Sequence, residues 1–248
     1  MQNSEFLTLG DVAATFGWTT RFVERLAAVD QLPGTEVNGQ WQFRREDLLE
    51  WLDRKIQTLD PVQVAGLEQK LEAELQASSR NIRIAERLKP EFVDLTFKPT
   101  DRTDVLKQLV NLANKTGLVI STAHLYASLA ERERLCSTAL PGGFAICHPR
   151  RPAPHILRRT LLAVLRTSDP IAFGAEDGQP TRLFFLIAAI DDRAHLYALA
   201  RLTRILRGPT LQKLLQATTA EQLIQTIQER EHEIDAAEAT AQPQTHSV

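Results

Sequence analysis

Glu131-Arg-Glu-Arg-Leu-Cys-Ser-Thr-Ala-Leu-Pro-Gly-Gly-Phe-Ala-Ile-Cys-His-Pro149 is the stretch on which the reading of this chain turns. It reads as the charged end of a helix, a turn, and a short strand that delivers His148. No regular element tolerates Pro141-Gly142-Gly143, and the apolar run Phe144 to Cys147 has strand length and stops at Pro149. A neutral imidazole at the mouth of a strand is a nucleophile near pH 7. One of its nitrogens attacks while a hydrogen bond to the other fixes the tautomer. Leu135 to Ser168 contains no acidic residue, whereas Arg150, Arg151, Arg158, Arg159 and Arg166 all fall there. An anion approaching His148 is therefore expected to meet a positive surround. The same arginines imply that the Cys147 thiol is partly ionised and oxidisable.

Around this stretch the pattern alternates strands with helices. Glu91 to Phe97 reads as a strand, Thr100-Asp101 caps a helix over Arg102 to Lys115, and Ser121 caps another reaching Arg134. Thr160 to Thr167 and Leu183 to Ile190 are apolar and of strand length. Asp191-Asp192 caps a helix to Arg207 that carries His195 in its first turn, where the helix N-terminus favours anions. Thr218-x-x-Glu221 opens a last helix, and the Ala, Thr, Gln and Pro-rich residues 232–248 read as a disordered tail. Strands interleaved with helices of this length predict an α/β (α+β) mixed sheet flanked by helices.

These residues resemble the enzyme IIA domains of the bacterial phosphoenolpyruvate-dependent phosphotransferase system, in the fructose, mannitol and nitrogen-regulatory class. Arg132-Glu133-Arg134, Ser137-Thr138, Gly143, Ala145-Ile146 and His148 fit that class. Downstream, Pro170-Ile171, Asp177-Gly178-Gln179-Pro180, Leu183 to Ile190, His195-Leu196, Leu199-Ala200-Arg201-Leu202 and Arg204 continue the similarity. Cys147 stands where the class has proline, and Pro149 where it has glycine. The resemblance implies that His148 accepts a phosphoryl group from the histidine phosphocarrier protein, with His195 and Arg134 in support. It implies no cofactor. Cys136, Cys147, His148 and His195 lack the short paired spacing of a zinc site, so no metal is expected either.

Upstream, Thr8 caps a helix to Phe16, Gly17 ends it, and Thr19 or Thr20 caps a second helix reaching Val29. Residues 36–43 alternate around Asn38-Gly39, a strong hairpin signal, and Arg44-Arg45-Glu46-Asp47 opens a third helix. This arrangement is similar to the winged helix-turn-helix of excisionase-type and MerR-related DNA-binding domains. The similarity implies that Thr19, Thr20, Arg21 and Arg25 read the major groove while Gln40, Gln42 and Arg44 touch backbone or minor groove. Residues 1–60 carry 6 basic and 10 acidic groups, a net −4 that opposes phosphate binding unless the cations share one face, so protein docking is the alternative role. Val62 to Leu88 reads helical, with Leu67, Leu71, Leu75, Ile82 and Leu88 at loosely heptad spacing, as a linker able to pair with a second copy.

The expected organisation is thus residues 1–58 as the DNA-binding module, 59–88 as the linker helix, 89–231 as the enzyme IIA-like domain and 232–248 as the tail. In a chain of 248 residues the longest apolar run, Leu183 to Ile190, is too short to cross a bilayer, and Met1 to Leu9 shows no signal pattern, so a cytoplasmic location is expected. Two functions remain open from the residues: a regulator whose phosphorylation at His148 alters DNA binding, or an enzyme IIA-like module that docks partner proteins without transfer.

Overall fold

The computed structural model describes residues 5–77 and 83–241. Its contacts divide the chain into two units, one formed by Met1–Asn81 with Asp192–Arg204 and one by Ile82–Asp191 with Ile205–Val248. No helix among the described residues is long and apolar enough to cross a membrane.

The first unit begins with β1 (Phe6–Thr8) and α1 (Leu9–Phe16). Thr8 and Asp11 form a reciprocal capping box that satisfies two backbone donors at the start of α1. Gly17 ends α1 at φ 66°, and a Cβ there would come within 2.7 Å of the Gly66 carbonyl oxygen, so both the backbone angle and the close approach require glycine. The α2 helix (Thr20–Ala28) is capped by Thr19, whose hydroxyl accepts from the Phe22 amide. Strands β2 (Thr35–Val37) and β3 (Gln40–Arg44) form the expected hairpin, with both turn residues in the left-handed region, Asn38 at φ 52° and Gly39 at φ 75°. The sequence pattern does not announce β1, which pairs with β3 to give a sheet of order β1-β3-β2. Three residues are too few to show a period. Helix α3 (Arg45–Lys55) follows, burying Leu48, Trp51 and Leu52.

The linker expectation is corrected by α4 (Pro61–Ala77), which buries Val64, Leu67, Leu71 and Leu75 within the chain and packs on α1. The leucine stripe expected to face a second copy is thus buried within the chain. The helix is also not continuous to residue 88: α5 (Ile84–Arg87) is a separate turn, and Ile82 lies outside the described residues.

The second unit continues from α5 through a 3-10 turn (Pro90–Phe92), β4 (Val93–Phe97), α6 (Arg102–Lys115), α7 (Thr122–Leu135), β5 (Ala139–Leu140), β6 (Phe144–Cys147), β7 (Leu161–Ile171) and β8 (Thr181–Ala188). Helix α8 (Asp192–Ile205) follows, and its residues to Arg204 group with the first unit. The chain then closes the second unit with α9 (Thr210–Gln216) and α10 (Ala220–Ala241). The sheet order is β4-β7-β8-β6-β5. Its β4–β7 and β6–β8 pairs are parallel and its β7–β8 and β5–β6 pairs antiparallel, the mixed sheet that the alternation implies. Every residue of β6 is buried, as is nearly all of β8, because both faces of this central pair are covered. Leu109, Leu125, Leu161, Phe173 and Phe184 are among the residues of the core on one side.

The C-terminal expectation changes at residue 232. Helix α10 runs on to Ala241 because its second half is rich in alanine and glutamate and has work to do. The buried Glu231 carboxylate accepts from the amides of Ile84 and Ala85 at 3.0 and 2.9 Å, capping α5 from a distance, and Arg83 pairs with Asp235 at 2.9 Å. Residues 242–248 of the expected tail lie outside the described residues. The cap of α10 is also shifted by one: Thr219, not Thr218, accepts from the Gln222 amide.

Candidate active site

His148 is the first residue after β6 and is 3% exposed. Because β6 and β8 are parallel, in register from Phe144↔Leu183 to Cys147↔Leu186, His148 leaves the sheet beyond the carboxyl ends of two central strands, the position where open α/β sheets bind ligands. Its Nδ1 lies 2.7 Å from the Ile146 carbonyl oxygen. A carbonyl only accepts, so Nδ1 carries the proton and Nε2 of the neutral ring holds the lone pair. The backbone of the strand thus selects which nitrogen keeps the lone pair.

The loop into β5 and β6 is held by one buried carboxylate. Glu133, in the last turn of α7, accepts from the Ser137 hydroxyl at 2.8 Å, the Thr138 amide at 3.1 Å and the Thr138 hydroxyl at 2.7 Å, and it pairs with Arg102 at 3.3 Å. Arg102 also donates to the Phe173 carbonyl. This gives the Arg-Glu-Arg-x-x-Ser-Thr spacing a physical reason: an acid at the helix end reaches two hydroxyl residues one turn further on. Arg132 is buried and donates to the Cys136 carbonyl at 2.7 Å, whereas Arg134 is exposed on the last turn of α7.

Two expectations about charge are corrected here. Arg166 does not belong to a positive surround of His148: it is half-buried in β7, and its guanidinium donates to the carbonyls of Leu215 and Ala217 at the end of α9. Arg150, Arg151, Arg158 and Arg159 are exposed. Cys147 is not an ionisable, reactive thiol. It is 1% exposed, burial together with the nearby Glu133 charge pushes its pKa up to about 12, and the Thr138 hydroxyl 3.5 Å away only partly offsets this. Iodoacetamide at pH 8 is expected to modify the exposed Cys136 and spare Cys147 in the folded protein, with both modified in urea; mass mapping of the peptides reads the outcome. Alkylation of Cys147 under native conditions would mean that β6 opens readily.

His195 lies in the first turn of α8 and is 7% exposed. Its Nε2 is 3.0 Å from Asp53 Oδ1 of α3. Asp53 carries no local signal of function, since its partner is 142 positions away. It was missed for that reason, as were Arg102 and the long reach of Glu133. The residues expected to face DNA, Thr19, Thr20, Arg21 and Arg25 on or beside α2 and Gln40, Gln42 and Arg44 on β3, are all exposed. Arg25 stacks over the Phe22 ring, and Arg44 lies 3.7 Å from Glu5.

Comparison with known proteins agrees with this geometry. The family model of the phosphoenolpyruvate-dependent sugar phosphotransferase system, EIIA 2, matches residues 86–230. The chain is 32% identical over 147 residues to the nitrogen regulatory protein of Bradyrhizobium diazoefficiens, a match covering 58% of this chain and 93% of that relative. It is 27% identical over 153 residues to the fructose-specific EIIABC component of Bacillus subtilis, covering 60% of this chain and only 24% of the relative. Among solved structures, nitrogen regulatory protein IIA-Ntr from Neisseria meningitidis superposes with a TM-score of 0.52 at 25% identity, covering 58% of this chain and 98% of that one. Residues 1–85 lie outside the family match. With a family match over more than half its length, and with the mixed sheet described above, this chain belongs to the EIIA 2 family of the phosphoenolpyruvate-dependent sugar phosphotransferase system.

Proposed function

We propose that the chain is a cytoplasmic regulator whose His148 accepts a phosphoryl group from the phosphorylated histidine phosphocarrier protein. The Nε2 lone pair forms the new N–P bond as the P–N bond to the carrier's histidine breaks, and that histidine keeps the electron pair. The observation that carries the reading is the hydrogen bond from Nδ1 to the Ile146 carbonyl, which leaves Nε2 as the nucleophile. By the family resemblance, His195 and Arg134 support the transferred group, whose three oxygens ask for positioning and positive charge. The test is incubation with phosphoenolpyruvate, enzyme I and the phosphocarrier, followed by intact mass. One acid-labile phosphoryl group per chain is expected. No uptake beside a competent enzyme IIA labelled in parallel would favour the docking function instead.

A second part of the proposal concerns the N-terminal segment, which we read as a winged helix-turn-helix whose DNA binding answers to the state of His148. What favours this is the exposure of all seven residues expected to face DNA, on one helix and one hairpin. Fluorescence anisotropy with a mixed-sequence duplex at low salt is expected to show weak binding that falls with added salt and is lost on combined Arg21→Ala and Arg25→Ala substitution. Equal, absent or salt-insensitive binding in both proteins would argue for protein docking by this segment.

A further inference from the structure

Within the first unit, α8 is held by five polar contacts from the N-terminal segment. Arg45 pairs with Asp192 at 2.8 Å, Glu74 with Arg193 at 2.9 Å, and Glu68 with both Arg201 at 2.7 Å and Arg204 at 2.8 Å. The fifth contact is of a different kind because it ends on an imidazole: Asp53 Oδ1 lies 3.0 Å from His195 Nε2, with both side chains nine-tenths buried. We propose that Asp53 is a positioning residue for His195, so that the N-terminal segment contributes a group to the chemistry of the EIIA 2 domain.

An ionised carboxylate only accepts, so Asp53 obliges Nε2 of His195 to carry its proton, and any second partner meets the ring at Nδ1. A carboxylate behind a working histidine fixes both its tautomer and its orientation, and removal of such a partner typically costs about 10–100-fold in activity. The surrounding ion pairs support the placement: Arg45 lies eight residues before Asp53 on α3 and grips Asp192 three residues before His195, so α3 and α8 are tied a second time on one side of the contact. The role of Asp53 in transfer rests on the function proposed above for His148 and His195.

The test uses the full chain and Asp53→Asn, an isosteric change that keeps the packing. An amide can accept from Nε2 or, turned over, donate to it, so the variant no longer dictates the tautomer. In histidine-labelled protein the ring-nitrogen signals of His195 are expected to show a protonated Nε2 in the native chain and a mixture in the variant. Phosphoryl uptake at His148 is expected to slow by about tenfold with the melting curve little changed. His195 ring signals that do not respond to the substitution would overturn the proposal, as would a response with unaltered uptake. If the native chain itself takes up no phosphate while the ring still responds, the transfer function fails and the positioning of His195 by Asp53 stands.

Discussion

His148→Ala is expected to reduce phosphoryl uptake from the carrier to background, the largest functional effect open to a single substitution in this chain. The imidazole supplies the only atom to which the group is proposed to bond, and no residue replaces an absent nucleophile. Packing is not expected to suffer comparably, since the strand that precedes His148 keeps its register with β8 through residues 144 to 147. Native uptake has a character of its own. At 3% exposure, His148 is shielded from a carrier, so uptake is expected to be slower than that of an enzyme IIA with an accessible histidine. Rapid-quench time courses of the two proteins side by side would decide it. Acid-labile phosphate persisting on the alanine variant would move the acceptor to another histidine and end the case for His148.

The largest effect on stability is expected from Glu68→Ala. Glu68 and Arg201 are each buried to within 1%, and the same carboxylate bridges to Arg204. Deleting it strips two guanidinium groups of their shared counter-charge in a place water does not reach. Breaking a buried pair in this manner costs about 3–5 kcal/mol, well above the 0–1 kcal/mol of an exposed ion pair. The molecule offers a selective readout, because its three tryptophans, Trp18, Trp41 and Trp51, all belong to the first unit. Tryptophan fluorescence in urea is expected to show an early transition for the variant, with Glu68→Gln intermediate because an amide oxygen still accepts. A loss below about 1 kcal/mol would show that the desolvation of three charges cancels their attraction.

How much of this was legible in the sequence follows the range of the interactions. Helix α6 begins and ends where Asp101 and Lys115 suggest, the hairpin turns at Asn38-Gly39, and β6 occupies Phe144–Cys147, because each is decided by residues a few positions apart. His148 was legible as a strand-end histidine, although the acceptor that fixes its tautomer is a backbone carbonyl that no residue type reveals. Long-range effects escaped. Helix α4 looked like a seam for a second copy because its leucines have no local partner, yet they are buried within the chain, where the helix packs on α1. The end of α10 looked disordered by composition, yet Glu231 and Asp235 hold α5. Cys147 looked reactive from its arginine neighbours in sequence, but in space its burial and the charge of Glu133 outweigh Thr138 and the charges of Arg132 and Arg102.

One consequence concerns the order in which the protein is made. The first unit takes its final helix from residues 192–204, so the N-terminal segment leaves the ribosome long before the partner of Glu68 and Asp53 exists. At ~5–20 residues per second, the intervening residues 82–191 impose a delay on the order of ten seconds. During that interval Glu68 and Asp53, the two carboxylates meant for arginine and histidine, stand open to solvent and to chaperones. The first unit is thus completed only after residues 192–204 have been made, once most of the second unit has already emerged.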